Sequence, residues 1–182
     1  MTLAAQKLKQ NISEYVLFVW QMEDLLRAVY FDTHALSDFV RTYAPNEAAY
    51  EEEMKWFHKL HLDMKREGVE HRGHVSEVHE LLFELAYLHN TLLNLSKDDA
   101  YTKAYMAAQP NIIEYKSRTD GSVVNDVEVC LTALYGLLVL RLKKEPISAD
   151  TEQAMKSFSH LLAMLSHHYK LMKQGTYHFS LN

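Results

Sequence analysis

The sequence predicts an all-α protein: a single-domain helical bundle of about six or seven helices with a long, central first helix. Three observations lead there. Turn residues are scarce, with 5 Gly and 3 Pro among 182 residues, too few for many short strands joined by tight turns, whereas long helices need few. Apolar residues make up 48% of the chain and charged ones 24%, the balance of a chain that buries a core. Apolar side chains also recur at spacings of three and four along most of the sequence.

The first helix is predicted from about Thr2 to Tyr30, because Leu8, Ile12, Tyr15, Val19, Met22, Leu26 and Val29 share one face. Nearly every residue between Tyr15 and Met22 is apolar, so this stretch must be covered on most sides. Thr33 can cap a short helix to about Tyr43, and Asn46 a third that follows Pro45, carries acidic residues early, and ends near Gly68. A fourth runs from about His74 to Leu95. Ser96 with Asp99 forms a variant capping box for the fifth, in which Pro110 predicts a kink or break near Ala108, resuming to about Lys116. The segment Ser117–Ser122 reads as a loop, with Ser122 capping a sixth helix through Lys144 that Pro146 ends. Ser148 caps the last helix and Gly175 stops it. The domain is expected to cover 1–175, with 176–182 an extended or disordered tail.

Composition narrows the function classes. The single Cys130 cannot form an internal disulfide and sits in an apolar run, where free cysteine packs as a small hydrophobe in a reducing compartment. The N-terminus lacks an apolar stretch followed by a small-residue cleavage site, so no secretory signal is expected and the cytoplasm is the predicted location. The run Val129–Leu140 is 12 residues without a charge, short of the roughly 18 that a membrane span needs. A net charge of −5 with interspersed signs argues against nucleic acid and against a membrane surface as partners.

Three stretches, NISEYVLFVWQMEDLLRA (Asn11–Ala28), MKREGVEHRGH (Met64–His74) and CLTALYGLLVLRLKKEPIS (Cys130–Ser148), resemble a bacterial all-helical family, domain of unknown function 4924. The resemblance spans essentially the whole chain. It implies a stand-alone cytoplasmic helical protein of this length, and brings no activity, ligand or catalytic residue to carry over.

Charge inside the first helix is the first unusual feature. Glu23 and Arg27 are four apart, with Trp20 and Tyr30 on the same stripe, so the two can pair with each other. Alternatively Arg27 offers its planar fork to an anionic group in a pocket. Asp24 is expected to be solvated. In the sixth helix Glu128, Thr132 and Tyr135 share a face and Arg141 falls on the apolar stripe with Leu134 and Leu138. If the two helices meet, Trp20, Glu23, Arg27, Glu128, Tyr135 and Arg141 form one buried polar network or a ligand site.

Histidine is the second. Of 11 histidines, His61, His89 and His168 occupy positions where the periodicity calls for apolar residues. Converging imidazoles could hold Zn²⁺ or Fe, while a lone buried histidine satisfies a carbonyl or carboxylate instead. No His has Glu three residues before it, and His-Glu-x-x-His, Cys-x-x-Cys and Gly-rich phosphate loops are missing. Tyr101, Tyr105, Ile112 and Tyr115 lie near one face of the fifth helix, as packing or as a partner surface. No catalytic residue is indicated, and the cofactor, if any, is left open. The sequence favours a non-enzymatic module acting by protein–protein contact or self-association; the alternative is a small-molecule or metal site in the bundle core.

Overall fold

The computed structural model describes residues 1–96, 98–119 and 125–176, which hold eight helices and no strand. The helices are α1 (Leu3–Gln10), α2 (Ile12–Ala28), α3 (Thr33–Arg41), α4 (Glu47–Arg66), α5 (Ser76–Asn94), α6 (Asp99–Ser117), α7 (Asp126–Leu142) and α8 (Ala149–Lys173). The chain gathers into two compact units, Met1–Leu81 and Leu82–Asn182.

In the first unit, the single first helix expected from the periodicity is two helices. Asn11 breaks it, adopting φ −154° and ψ 108° while its side chain accepts from the N–H groups of Ser13 and Glu14 at 3.0 and 3.2 Å. An asparagine able to cap a new helix outcompetes continuation of the old one, because capping satisfies two otherwise orphaned donors. Leu8, before the break, is exposed; Ile12, Tyr15, Val19, Met22 and Leu26, after it, are buried. Ten of the 17 residues of α2 are buried, as its apolar middle requires. The cap of α3 is Asp32, whose carboxylate accepts from Ala35 N at 2.8 Å, and Thr33 is already helical. Asn46 caps α4 as expected, accepting from Ala49 N at 2.9 Å, and Gly68, at φ 71°, closes its end in the left-handed region. Buried Glu53 on α4 accepts from Leu3 N at 2.6 Å, fixing the first turn of α1 to α4.

In the second unit, Asp98 caps α6 by accepting from Tyr101 N at 2.8 Å. Ser96, the expected cap, instead donates its hydroxyl to Leu92 O at the end of α5. Of the kink or break expected near Ala108, the break does not occur, and α6 runs unbroken through Pro110. Proline deprives the Met106 carbonyl of its helical donor, and both residues are on the exposed side, where water can take that carbonyl. The α7 cap is Asn125, which accepts from Glu128 N at 2.9 Å; the expected cap Ser122 lies outside the described residues. That helix ends at Leu142, with Lys144 at φ 57° two residues before Pro146. Ser148 caps α8 and Gly175 (φ 68°) follows its end, both as expected. Thr176, the first residue of the expected tail, still bonds back to Leu171 O, and 177–182 lie outside the described residues. Helices α6, α7 and α8 pack on one another, burying Tyr101, Ile112, Cys130, Leu131, Phe158 and Leu161.

Candidate functional site

The first unit gathers buried charge around the connection between α4 and α5. Glu23 is fully buried; one carboxylate oxygen lies 2.5 Å from His74 Nδ1 and the other accepts from Val75 N at 2.9 Å. His74 in turn stacks on Trp20 with ring centroids 4.7 Å apart. One turn along α2, Arg27 donates to the carbonyls of Val69 at 2.9 Å and Gly73 at 2.5 Å, and to Asp24 at 2.8 Å. Glu67, just after α4, accepts from both the N–H and the hydroxyl of Ser76; the N–H bond foremost, helped by the hydroxyl and by Arg66, holds its carboxyl below the usual range against the opposing effect of burial. Two side chains of α2 thus grip the backbone of the connection at Val69, Gly73 and Val75, and Glu67 at its start holds Ser76 at its end. Gly73 adopts φ 88°, which a side chain resists.

Glu23 and Arg27 are therefore not partners of each other, although their spacing allows it. Each takes a partner far along the chain, and Asp24, expected to be solvated, takes up Arg27 as well. Arg27 has turned its fork on carbonyls and Asp24, so those donors are already taken and unavailable to an anion. Beside this cluster Tyr15, Val19, Trp56, Leu60 and Val75 floor a recess of about 20 Å³, the space of roughly one water. A polar chain rims it: Tyr15 donates to Glu77 at 2.7 Å, and Lys59 to Asp63 at 2.7 Å.

The second unit has a polar chain of its own. His89 is buried, with Nδ1 2.7 Å from Tyr101 Oη, and its ring meets Tyr105 edge-on at 5.0 Å. Tyr105 donates to Asp126 at 2.7 Å, and Lys116 donates to the other oxygen of that carboxylate at 2.5 Å. Burial works against ionisation of Asp126, but these two donors outweigh it and hold its carboxyl below the usual range. Burial, then the Asp126 hydrogen bond, push the Tyr105 phenol up to about 12, and burial foremost pushes up the thiol of Cys130, so neither group is poised to act as a nucleophile at neutral pH.

With this geometry in place, the family model described as domain of unknown function (DUF4924) matches residues 1–176. The chain belongs to the DUF4924 family. No curated protein and no solved structure matches it.

In this DUF4924 protein, two of the stretches that carried the resemblance, Asn11–Ala28 and Met64–His74, meet at the Glu23–His74 and Arg27–Val69 contacts. Of the remaining sequence candidates, Glu128 is half-buried and accepts from its own cap, Asn125 Nδ2, at 3.3 Å, and Tyr135 is half-buried. Arg141 is exposed, contrary to its place on the apolar stripe: it sits in the last turn of α7, where Leu140 and Leu142 are exposed too, so the stripe outlasts the burial. His61 stacks on Phe31 with centroids 4.4 Å apart in the first unit. His89 and His168 both contact Tyr101 in the second. Among the described residues no group of three or more His, Cys, Asp or Glu side chains is arranged to hold a metal. The tyrosine face of α6 is turned inward, with Tyr101 and Ile112 buried and Tyr105 and Tyr115 half-buried. The side of α6 left exposed carries Met106 and Ile113, and α5 exposes Phe83 and Tyr87. The exposed pairs are legible in the sequence as apolar residues out of phase with the buried stripe of each helix. Among the described residues no helix is long and apolar enough to cross a membrane.

Proposed function

We propose that this DUF4924 protein is a non-enzymatic helical module that works by protein–protein contact, in its simplest form by self-association. The observation that carries this reading is the exposure of Phe83 (74%) and Tyr87 (66%), one turn apart on the same side of α5. Large aromatic side chains contribute much contact area at low entropic cost and are enriched at interfaces, and exposed apolar clusters on a soluble domain mark contact sites. The charged side chains first suspected of ligand binding support it indirectly, since Glu23 and Arg27 spend their hydrogen bonds on the protein's own backbone and on His74 and Asp24.

Light scattering at about micromolar concentration, paired with a pull-down, tests the reading. A species larger than the monomer that dissociates in the double variant Phe83→Ser, Tyr87→Ser is expected. A strict monomer that captures no partner sinks the proposal. The alternative, a small-molecule or metal site in the core, is tested by elemental analysis and a metabolite thermal-shift screen, in which a bound metal or a stabilising metabolite would displace the contact reading.

A further inference from the structure

The outer face of α6 carries its charges in an order that complements itself. Opposite the buried Tyr101, Ala104, Ala108 and Ile112, the helix exposes Asp99 and Lys103 near its start and Glu114 and Arg118 at its end. Between them lies an exposed apolar stretch of Met106 (64%), Ala107, Pro110 and Ile113 (61%). Steps of three and four keep all of these on one side of the helix. From start to end the face therefore reads negative, positive, apolar, negative, positive.

The reverse of that order is its own complement. Asp99, Lys103 and Ala107 form one row at spacings of four, and Pro110, Glu114 and Arg118 form another; such rows are the ridges along which helices pack. Against a second α6 running the opposite way, the register that sets Ala107 beside Pro110 also sets Lys103 beside Glu114 and Asp99 beside Arg118. Two-fold symmetry then forms every pair twice. A second α6 running the same way sets each charge against its own copy, which repels. The charges are available for such pairing: Arg118 takes one oxygen of Glu114 within its own helix, and among the described residues Asp99 and Lys103 have no ion-pair partner. Small residues at the centre let the helices approach closely, with Met106 and Ile113 beside them and charge at the rim, the usual anatomy of an interface.

We propose that a second copy of this chain docks antiparallel on the exposed face of α6, with Ala107 beside Pro110 at the centre and the Lys103–Glu114 and Asp99–Arg118 pairs on either side. This contact is separate from the one proposed for α5, since Phe83 and Tyr87 lie on another helix and take no part in it. Either contact can fail with the other standing.

Carbodiimide cross-linking of the full chain at about 50 μM and low salt tests the pair, because the reagent joins an ammonium to a carboxylate only where the two touch. Within one copy Lys103 and Glu114 are held about 16 Å apart along the helix axis, so a peptide joining them comes from two copies. That peptide is expected from the unmodified protein and equally from Phe83→Ser, Tyr87→Ser, which takes a larger assembly down to the α6 pair. In the Phe83→Ser, Tyr87→Ser background, Lys103→Glu and Glu114→Lys each set like charges together at both ends and are each expected to weaken the pair about tenfold by sedimentation. An equimolar mixture of the two restores opposite charges at both ends and is expected to recover it. Assembly without the joined peptide overturns the α6 pair, and so do a strict monomer and a mixture no tighter than its components. Should a charge variant fail to fold, Ile113→Ser decides: it is expected to abolish the joined peptide, and an undiminished yield overturns the pair. An assembly indifferent to Phe83→Ser, Tyr87→Ser that still yields the peptide overturns the α5 contact alone.

Discussion

At the scale of single residues, Glu23 decides most. A carboxylate removed entirely from water is tolerated only where its oxygens are taken up, and here both are, by His74 and by Val75 N. Glu23→Ala leaves that buried N–H without an acceptor and is expected to cost about 2–4 kcal/mol in urea unfolding. Arg27→Lys keeps the charge but cannot hold Val69 O, Gly73 O and Asp24 together. It is expected to make the stretch between α4 and α5 a faster site of limited proteolysis, with a smaller loss of stability of about 1 kcal/mol. Unchanged proteolysis in the lysine variant would show that the two carbonyl contacts do not order the stretch. Periodicity in the sequence was enough to mark Glu23 and Arg27 as inward-facing charges. It could not name their partners, because a spacing of four along a helix suggests that the two pair with each other, whereas apart from the Arg27–Asp24 pair their partners lie more than forty residues away. Arg141 failed for a related reason, since an apolar stripe says which side of a helix is buried and not where along it burial stops.

At the scale of elements, helix existence was legible and helix ends were not. Every stretch predicted helical is helical, although the first divides into α1 and α2, because apolar spacing records which face must be covered. Capping depends on backbone geometry that several neighbouring residues can supply: Asp32 took the place of Thr33 and Asp98 that of Ser96. Pro110 predicts a kink or a break near Ala108, yet its helix continues because one lost hydrogen bond on a solvent-facing side is tolerable. Asn11 is the most informative miss. The stripe across it is nearly continuous, and only the side chain's two accepted hydrogen bonds, to Ser13 N and Glu14 N, reveal that a new helix starts there. Asn11→Ala removes those acceptors without altering the apolar pattern. It is expected to destabilise the protein by about 1–2 kcal/mol in urea unfolding, and backbone chemical shifts at Gln10 to Ser13 should move toward continuous helix. A variant with unchanged stability and shifts would mean that packing of α1, through Ala4 and the Leu3–Glu53 bond, sets the break on its own.

At the scale of the whole molecule, titrating groups set how stability follows pH. Two kinds act on the acid side. His89 and His168, held below the ordinary histidine range chiefly by burial, contribute stability that is complete above about pH 6.5 and declines below it. Asp126 works in a lower window. Its carboxyl is held below the usual range despite burial, by Lys116 and Tyr105, so its contribution is present above about pH 4 and is lost as the pH falls through the folded value. The thermal midpoint is therefore expected to fall in two stages between about pH 7 and pH 3. Lys116→Met separates them, removing the principal donor to Asp126 and, at His89, only the smallest of the influences on its proton affinity. The lower stage should shrink in that variant, with Glu67 and other lowered carboxyls keeping the remainder, and the upper one persist. At neutral pH its cost should be no more than about 1 kcal/mol, because the lysine side chain is 35% exposed and water screens the pair. If Lys116→Met instead flattens the upper stage, the histidines titrate through Asp126, and the polar chain of the second unit responds to protons as one coupled system.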